Sequence, residues 1–149
     1  ITDANLKITY LPTRHWGNRL FNDLNERLWG AFLIKNNNNT IYFGADSGWD
    51  THFKEVNELF GSPDFTMIGI GAYKPEWFMG QSHTSPKDGL RAANEMKAKN
   101  LIPMHYGTFD LSDEPICDPY RVVNKLYNEN NYPFKLLNPK IGEIISLKN

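Results

Sequence analysis

A chain of 149 residues with 40% hydrophobic and 13% aromatic side chains is long enough for one packed domain and too apolar for a disordered one. A formal net charge of −1 leaves no basic footprint for nucleic acid and no polybasic segment for a membrane surface. Cys117 is the one cysteine, which excludes an internal disulfide and any Cys-x-x-Cys motif, and no apolar run reaches the ~18 residues of a membrane-crossing helix. These features favour a reducing, cytoplasmic setting, with peripheral membrane association or export left open. The chain opens on Ile1 rather than methionine, without a charged and apolar leader, which fits a removed leader or a part of something longer.

In chain order, Leu6 to Pro12 alternates and is rich in β-formers, so it reads as a strand with His15 just beyond its end. Leu28–Lys35 and Thr40–Ala45 read as a strand pair joined at Asn36–Asn39, residues that tolerate a left-handed backbone in a hairpin turn. Helical spacing of Phe53, Val56, Leu59 and Phe60 predicts a helix from Asp50 to Phe60, capped by Asp50 or Thr51 and stopped by Gly61. Phe65–Ile70 is continuously apolar, as in a strand covered on both faces. Ser85-Pro86-Lys87-Asp88 is a helix start, with a capping serine, proline at the first helical position and a carboxylate at the third. That helix is expected to reach Lys99, with Leu90, Ala93 and Met96 inward. Leu101–Met104 reads as a strand ending on His105, and Asp118-Pro119 opens a helix with Val122, Val123, Leu126 and Tyr127 as its apolar stripe. Phe134–Leu137 and Glu143–Leu147 read as closing strands about a turn at Pro139–Gly142. Strands followed by alternating helices and strands, with no linker or repeat, imply a layered α/β domain.

Three of the β-like runs end on metal-ligating side chains, at His15, Asp46 and His105. Strand ends are where layered α/β proteins display functional groups, because the core fixes the backbone while the side chain enters a cleft. Two imidazoles and a carboxylate suit zinc, iron or manganese. The alternatives are a hydrogen-bonded loop histidine and a plain Asp-Ser-Gly turn. Aromatic residues Trp16, Trp29, Trp77 and Phe78 read as core rather than as a lipid-binding cleft. His52 reads as a solvated residue at a helix start, and Ser112-Asp113-Glu114 as a solvated loop. No Gly-x-Ser-x-Gly elbow supports a serine hydrolase, and Gly69-x-Gly71 lacks the third glycine of a dinucleotide fingerprint.

Thr13-Arg14-His15-Trp16, Leu28-Trp29-Gly30-Ala31-Phe32 and Phe43-Gly44-Ala45-Asp46-Ser47-Gly48 follow in order. Ile68-Gly69-Ile70-Gly71-Ala72-Tyr73 comes next, with Pro75, Trp77, Phe78, Met79, His83 and Pro86, and then Met104-His105-Tyr106-Gly107-Thr108-Phe109. Together these blocks resemble the second half of the N-acylphosphatidylethanolamine-hydrolysing phospholipase D family and its bacterial relatives, within the metallo-β-lactamase superfamily. The resemblance runs from about Ile8 to beyond Phe109 and is loose thereafter. It implies that residues 1–149 are one partial domain, the carboxy-terminal half of an αββα sandwich. It also implies His15 as ligand of a first metal, Asp46 as the bridging and catalytic carboxylate, His105 as ligand of a second metal, and His83 as a group beside the metals or substrate. Ser82 and Ser85 depart from the family's more usual Gln or Met and Asp or Asn, although Ser85 keeps the capping role.

The superfamily's His-x-His-x-Asp-His loop is absent from this sequence, so each ion would keep one histidine and the shared Asp46, short of the usual four or so ligands. The chain is therefore expected to be inactive alone, and active when joined to that loop as a two-zinc hydrolase (manganese or iron being the alternatives) with a bridging hydroxide. The expected substrate is a phosphodiester, such as a phospholipid. A half-domain that assembles with a separate chain and a non-catalytic scaffold of the same fold are the other readings. Half a sandwich would also leave an apolar sheet face bare, inviting self-association.

Overall fold

The computed structural model describes residues 5–18, 20 and 22–146. Its frame is one six-stranded sheet in sequential order: β1 (Leu6–Leu11), β2 (Ala31–Asn36), β3 (Thr40–Phe43), β4 (Phe65–Gly69), β5 (Asn100–Met104) and β6 (Lys135–Leu136). The first three strands pair antiparallel, and β3 through β6 run parallel. Between the parallel strands lie α1 (His52–Phe60), the single turn α2 (Glu76–Met79), α3 (Pro86–Glu95) and α4 (Asp118–Glu129). Parallel neighbours need crossovers, and crossovers have one hand. A sheet that grows in one direction therefore receives α1, α3 and α4 on the same face, and α3 packs on both α1 and α4.

Residues under the helices form the core. Ala31, Leu33, Tyr42, Ile68 and Leu101 from the strands meet Phe53, Val56, Leu90, Ala93, Met96 and Val123, all fully or nearly fully buried. On the opposite face the pairing lines up Tyr10 with Phe32, Phe32 with Phe43, Phe43 with Met67, and Met67 with Ile102. Ile8, Ile34, Ile41 and Met104 extend this row. None of these residues is buried. Among the described residues no helix or second sheet lies on that face, although Phe65, which pairs with Ile41 in the same row, is buried.

Local chemistry explains most of the boundaries. Ser85 and Asp88 form a reciprocal capping box with Pro86 at the first helical position, as the sequence suggests. That helix ends at Glu95 rather than Lys99, because Lys97 takes a left-handed backbone (φ 51°) and the amides of Lys97 and Ala98 turn back to Asn94 and Ala93. Leu59 is 72% exposed, since the buried stripe of α1 runs through Phe53, Val56 and Phe60. The turn α2 has no buried residue and hence no periodic signal. Residues 143–146 form no strand, and the rest of that expected strand, Leu147, lies outside the described residues.

Asp64 ties the parallel strands together at their starts. Its carboxylate accepts from the Thr40 amide at 2.7 Å and from Lys99 Nζ at 2.7 Å, while Asn100 Nδ2 donates to its carbonyl. Burial alone would raise its pKa, but the Lys99 ammonium and the Thr40 amide outweigh that and hold it below the usual 3.8. A carboxylate depressed in this way stabilises the fold fully above its unfolded pKa and loses that contribution as pH falls through the folded value. Asp64→Asn is therefore expected to cost about 1–2 kcal/mol at pH 7, measured by urea unfolding. The gap should narrow below about pH 4; a gap that stays constant from pH 7 to 3 would remove the ionic role.

Candidate metal centre

Asp46 follows β3 and His105 follows β5, so the parallel pairing brings both to one end of the sheet. His15 reaches them by a different device. The segment after β1 runs antiparallel beside the Asp46 loop, with Arg14 paired to Gly48. The Gly48 amide donates to the Arg14 carbonyl at 2.7 Å, and the Arg14 amide donates to Ser47 Oγ at 3.1 Å. A side chain at Gly48 would stand 2.5 Å from the Gln81 carbonyl oxygen, so glycine is what lets this loop nest against the segment after α2. Trp29 Nε1 fixes the same stretch by donating to the Thr13 carbonyl at 3.0 Å.

The three expected ligands converge. His105 Nε2 lies 3.3 Å from Asp46 Oδ1, and His15 Nε2 lies 3.9 Å from Asp46 Oδ2. Each carboxylate oxygen thus faces a different imidazole. His15 Nδ1 is 3.0 Å from the Ser82 carbonyl; a carbonyl can only accept, so Nδ1 carries a proton and Nε2 is the nitrogen that faces Asp46. His83 stands between the two, its ring centroid 5.1 Å from that of His15 and 5.2 Å from that of His105. Burial, then the neighbouring His105 and His15, push its pKa down to about 4. It is neutral at pH 7. The cleft over these groups, about 430 Å³, is lined by Trp29, Phe43, Met104, His15, Asp46 and His105, so it opens where the bare sheet face meets the strand ends.

The donors fit a metal pair in kind and only in part in number. Two ligands each about 2.1 Å from a tetrahedral zinc stand roughly 3.4 Å apart, close to the 3.3 Å pair and somewhat under the 3.9 Å one. Yet each pair provides just two donors, and among the described residues no group of three or more His, Cys, Asp or Glu side chains could hold a metal ion. The residues present fit half of a centre.

A model of the beta-lactamase superfamily domain matches residues 1–106. This chain belongs to that family. Curated relatives carry the resemblance seen in the sequence. N-acyl-phosphatidylethanolamine-hydrolyzing phospholipase D 1 of Caenorhabditis elegans is 36% identical over 107 residues, covering 71% of this chain and 30% of that protein. The mitochondrial N-acyl-phosphatidylethanolamine-hydrolyzing phospholipase D of Saccharomyces cerevisiae is 30% identical over 139 residues, covering 91% and 30%. The crystal structure of isothiocyanate hydrolase from Delia radicum gut bacteria superimposes with a TM-score of 0.74 at 17% identity, covering 97% of this chain and 55% of that one. The fold is that of the metallo-β-lactamase superfamily, and a further relative, from Methanospirillum hungatei, 30% identical over 95 residues and covering 64% of this chain and 39% of that protein, is named a metal-dependent hydrolase. The chain spans about 30% of the length of the two phospholipase D relatives.

Several residues near the centre behave differently from the sequence expectation. His52 is half-buried rather than solvated: its ring packs 4.0 Å from that of Phe53, and Nε2 lies 3.2 Å from Ser47 Oγ. Burial lowers its pKa. Ser47, adjacent to Asp46 and 5% exposed, thereby joins Arg14, His52 and its own turn, a role that Asp-Ser-Gly in sequence does not distinguish from any turn. Glu114 is 4% exposed, because its two oxygens accept the amides of Tyr73 and Lys74. The aromatic residues read as core are not core. Trp16, Trp77 and Phe78 are exposed and Trp29 is half-buried, since they sit in loops and in α2 beyond the strands.

The environment of His83 gives a direct check. In an NMR titration of the metal-free chain, its imidazole should protonate near pH 4, and His105→Ala should move that midpoint upward by removing a positive neighbour. A His83 midpoint near 6.5 would mean a solvated ring and a different arrangement of the three histidines.

Proposed function

We propose that this chain provides the carboxy-terminal ligands of a dinuclear hydrolase acting on phosphodiesters, with a phospholipid as the leading substrate. The observation that carries this reading is the Asp46 carboxylate, whose two oxygens each face a separate imidazole. That is the disposition of a bridging ligand, because one carboxylate can bind two cations and offset part of their charge. The named activity of the two phospholipase D relatives supports phosphodiester substrates over the other bonds this fold accommodates.

Bound between these residues, divalent ions would supply Lewis acidity, activating water and stabilising charge on phosphoryl oxygens. Zinc is the first choice for imidazole and carboxylate donors, with manganese or iron as alternatives. This chain's own groups set the geometry. Asp46 fixes the spacing, and the Ser82 carbonyl holds His15 in the tautomer that leaves Nε2 free. Neutral His83 offers a hydrogen bond to substrate without adding positive charge between the two ligand histidines.

The remaining ligands and the cover of the bare sheet face have, in this proposal, a common source: another segment of the same protein, or a separate chain, bearing the His-x-His-x-Asp-His loop. Phe43 and Met104 belong both to that face and to the lining of the metal cleft, so whatever seals the face arrives at the ligands. Alone, the chain is expected to self-associate through the same surface.

The test uses the protein carrying this chain together with that loop. Hydrolysis of bis-p-nitrophenyl phosphate and of N-acylphosphatidylethanolamine vesicles should vanish on chelation and return with zinc or manganese. Asp46→Ala and His105→Ala should each lower kcat by roughly two orders of magnitude or more. Activity that survives both chelation and Asp46→Ala would sink the reading.

A further inference from the structure

His52 lies in none of the sequence blocks that carry the family resemblance, yet its ring links the core to the ligand end of the sheet. It is the first residue of α1, and its ring lies 4.0 Å from that of Phe53. Phe53 is 1% exposed and packs in turn on Tyr42, with 6.1 Å between ring centroids. One side of the imidazole is thereby fixed by the helix-backed core.

The other side reaches Ser47, with His52 Nε2 at 3.2 Å from Ser47 Oγ. A serine hydroxyl has one proton to give and two lone pairs. The proton goes to the Gly48 carbonyl at 2.8 Å. One lone pair takes the Arg14 amide at 3.1 Å, which leaves the second for a proton on His52 Nε2. Ser47 is also 5% exposed, and a buried hydroxyl with all its positions filled is no nucleophile. The pair is therefore not a catalytic dyad. Its place in the chain shows what it does instead: Ser47 follows Asp46, and Arg14 precedes His15. Two parallel ties run between the same segments, from the Gly48 amide to the Arg14 carbonyl at 2.7 Å and from the Thr13 hydroxyl to the Asp46 carbonyl at 3.4 Å.

We propose that His52 is a positioning residue, which by donating to Ser47 holds the Thr13–His15 segment in register with the Asp46 loop. The inference rests on the dinuclear reading for what that register serves, namely one of two metal positions. His105 needs no such device, because it follows β5, and the pairing of β5 with β4 fixes it. Loss of the His52 hydrogen bond therefore acts on the His15 side alone.

Two variants separate the hydrogen bond from the packing of the ring. His52→Leu keeps an apolar contact with Phe53 and removes the donor, whereas His52→Gln keeps a donor near the place of Nε2. Both are made in the protein carrying this chain together with the His-x-His-x-Asp-His loop. In its metal-free form, amide hydrogen exchange is followed by NMR at Arg14 and Gly48, with Ile70, which donates to the Met104 carbonyl, as the internal reference. His52→Leu is expected to speed exchange at Arg14 and Gly48 by roughly fivefold relative to Ile70, the worth of about one hydrogen bond. His52→Gln should stay within about twofold of the parent. Zinc competition should then show one site loosened by roughly tenfold in His52→Leu. That site is the one lost in His15→Ala, and the site lost in His105→Ala should be unchanged. Unaltered exchange in His52→Leu, equal acceleration in His52→Gln, or loosening of both zinc sites alike overturns the proposal. Failure of the dinuclear hydrolase reading looks different: the parent binds fewer than two zinc ions or turns over no phosphodiester, while the exchange pattern and its rescue by glutamine persist.

Discussion

The parallel pairing of β3, β4 and β5 is the constraint from which the rest of the molecule follows. Strands added in one direction, through crossovers of one hand, place α1, α3 and α4 on one face and point every strand end the same way. Asp46 and His105 then emerge side by side without any contact between their own loops being needed. The same rule leaves the opposite face bare. One topology thus accounts for both features: the sheet that brings Asp46 and His105 together is the sheet whose other face carries no helix among the described residues. Asp64 guards this arrangement at the far end, where it touches the starts of β3 and β5 at once.

His15 is held by weaker means than its two partners. It lies in no parallel strand, and its place depends on the Arg14–Gly48 bridge, the Ser47 hydroxyl and the Ser82 carbonyl. The longer of the two histidine–carboxylate distances is the one on its side. Of the three expected ligands, Asp46 and His105 are fixed by the sheet and His15 by loops. The loop-held side is where Ser47, His52 and Gly48 make the contacts that set the place of His15.

Much of this was legible in the sequence, and the reasons are specific. Strands β1 to β5 carry β-rich apolar runs bounded by polar turns, and Ser85-Pro86-Lys87-Asp88 spells out a capping box that the backbone adopts. His15, Asp46 and His105 were marked because each follows such a run. What stayed hidden depends on contacts distant in the chain. Glu114 resembles any acidic loop residue until the amides of Tyr73 and Lys74 are seen to close on it. His52 is indistinguishable from a solvated helix-start residue until Ser47 and Phe53 surround it. Trp77 and Phe78 failed the core expectation because composition records that a residue is aromatic and not whether anything packs on it.

Three non-glycine residues with left-handed backbones gather at the ligand end of the sheet: Ala45, Ala72 and His105, with φ of 50°, 58° and 60°. Each such residue costs of order 1–3 kcal/mol; Ala45 precedes Asp46, His105 is itself one of the three expected donors, and Ala72 lines a cavity that His105 also lines. None would keep that conformation in a free peptide. The strands therefore act as a spring-loaded jig, holding the donors where relaxed loops would not.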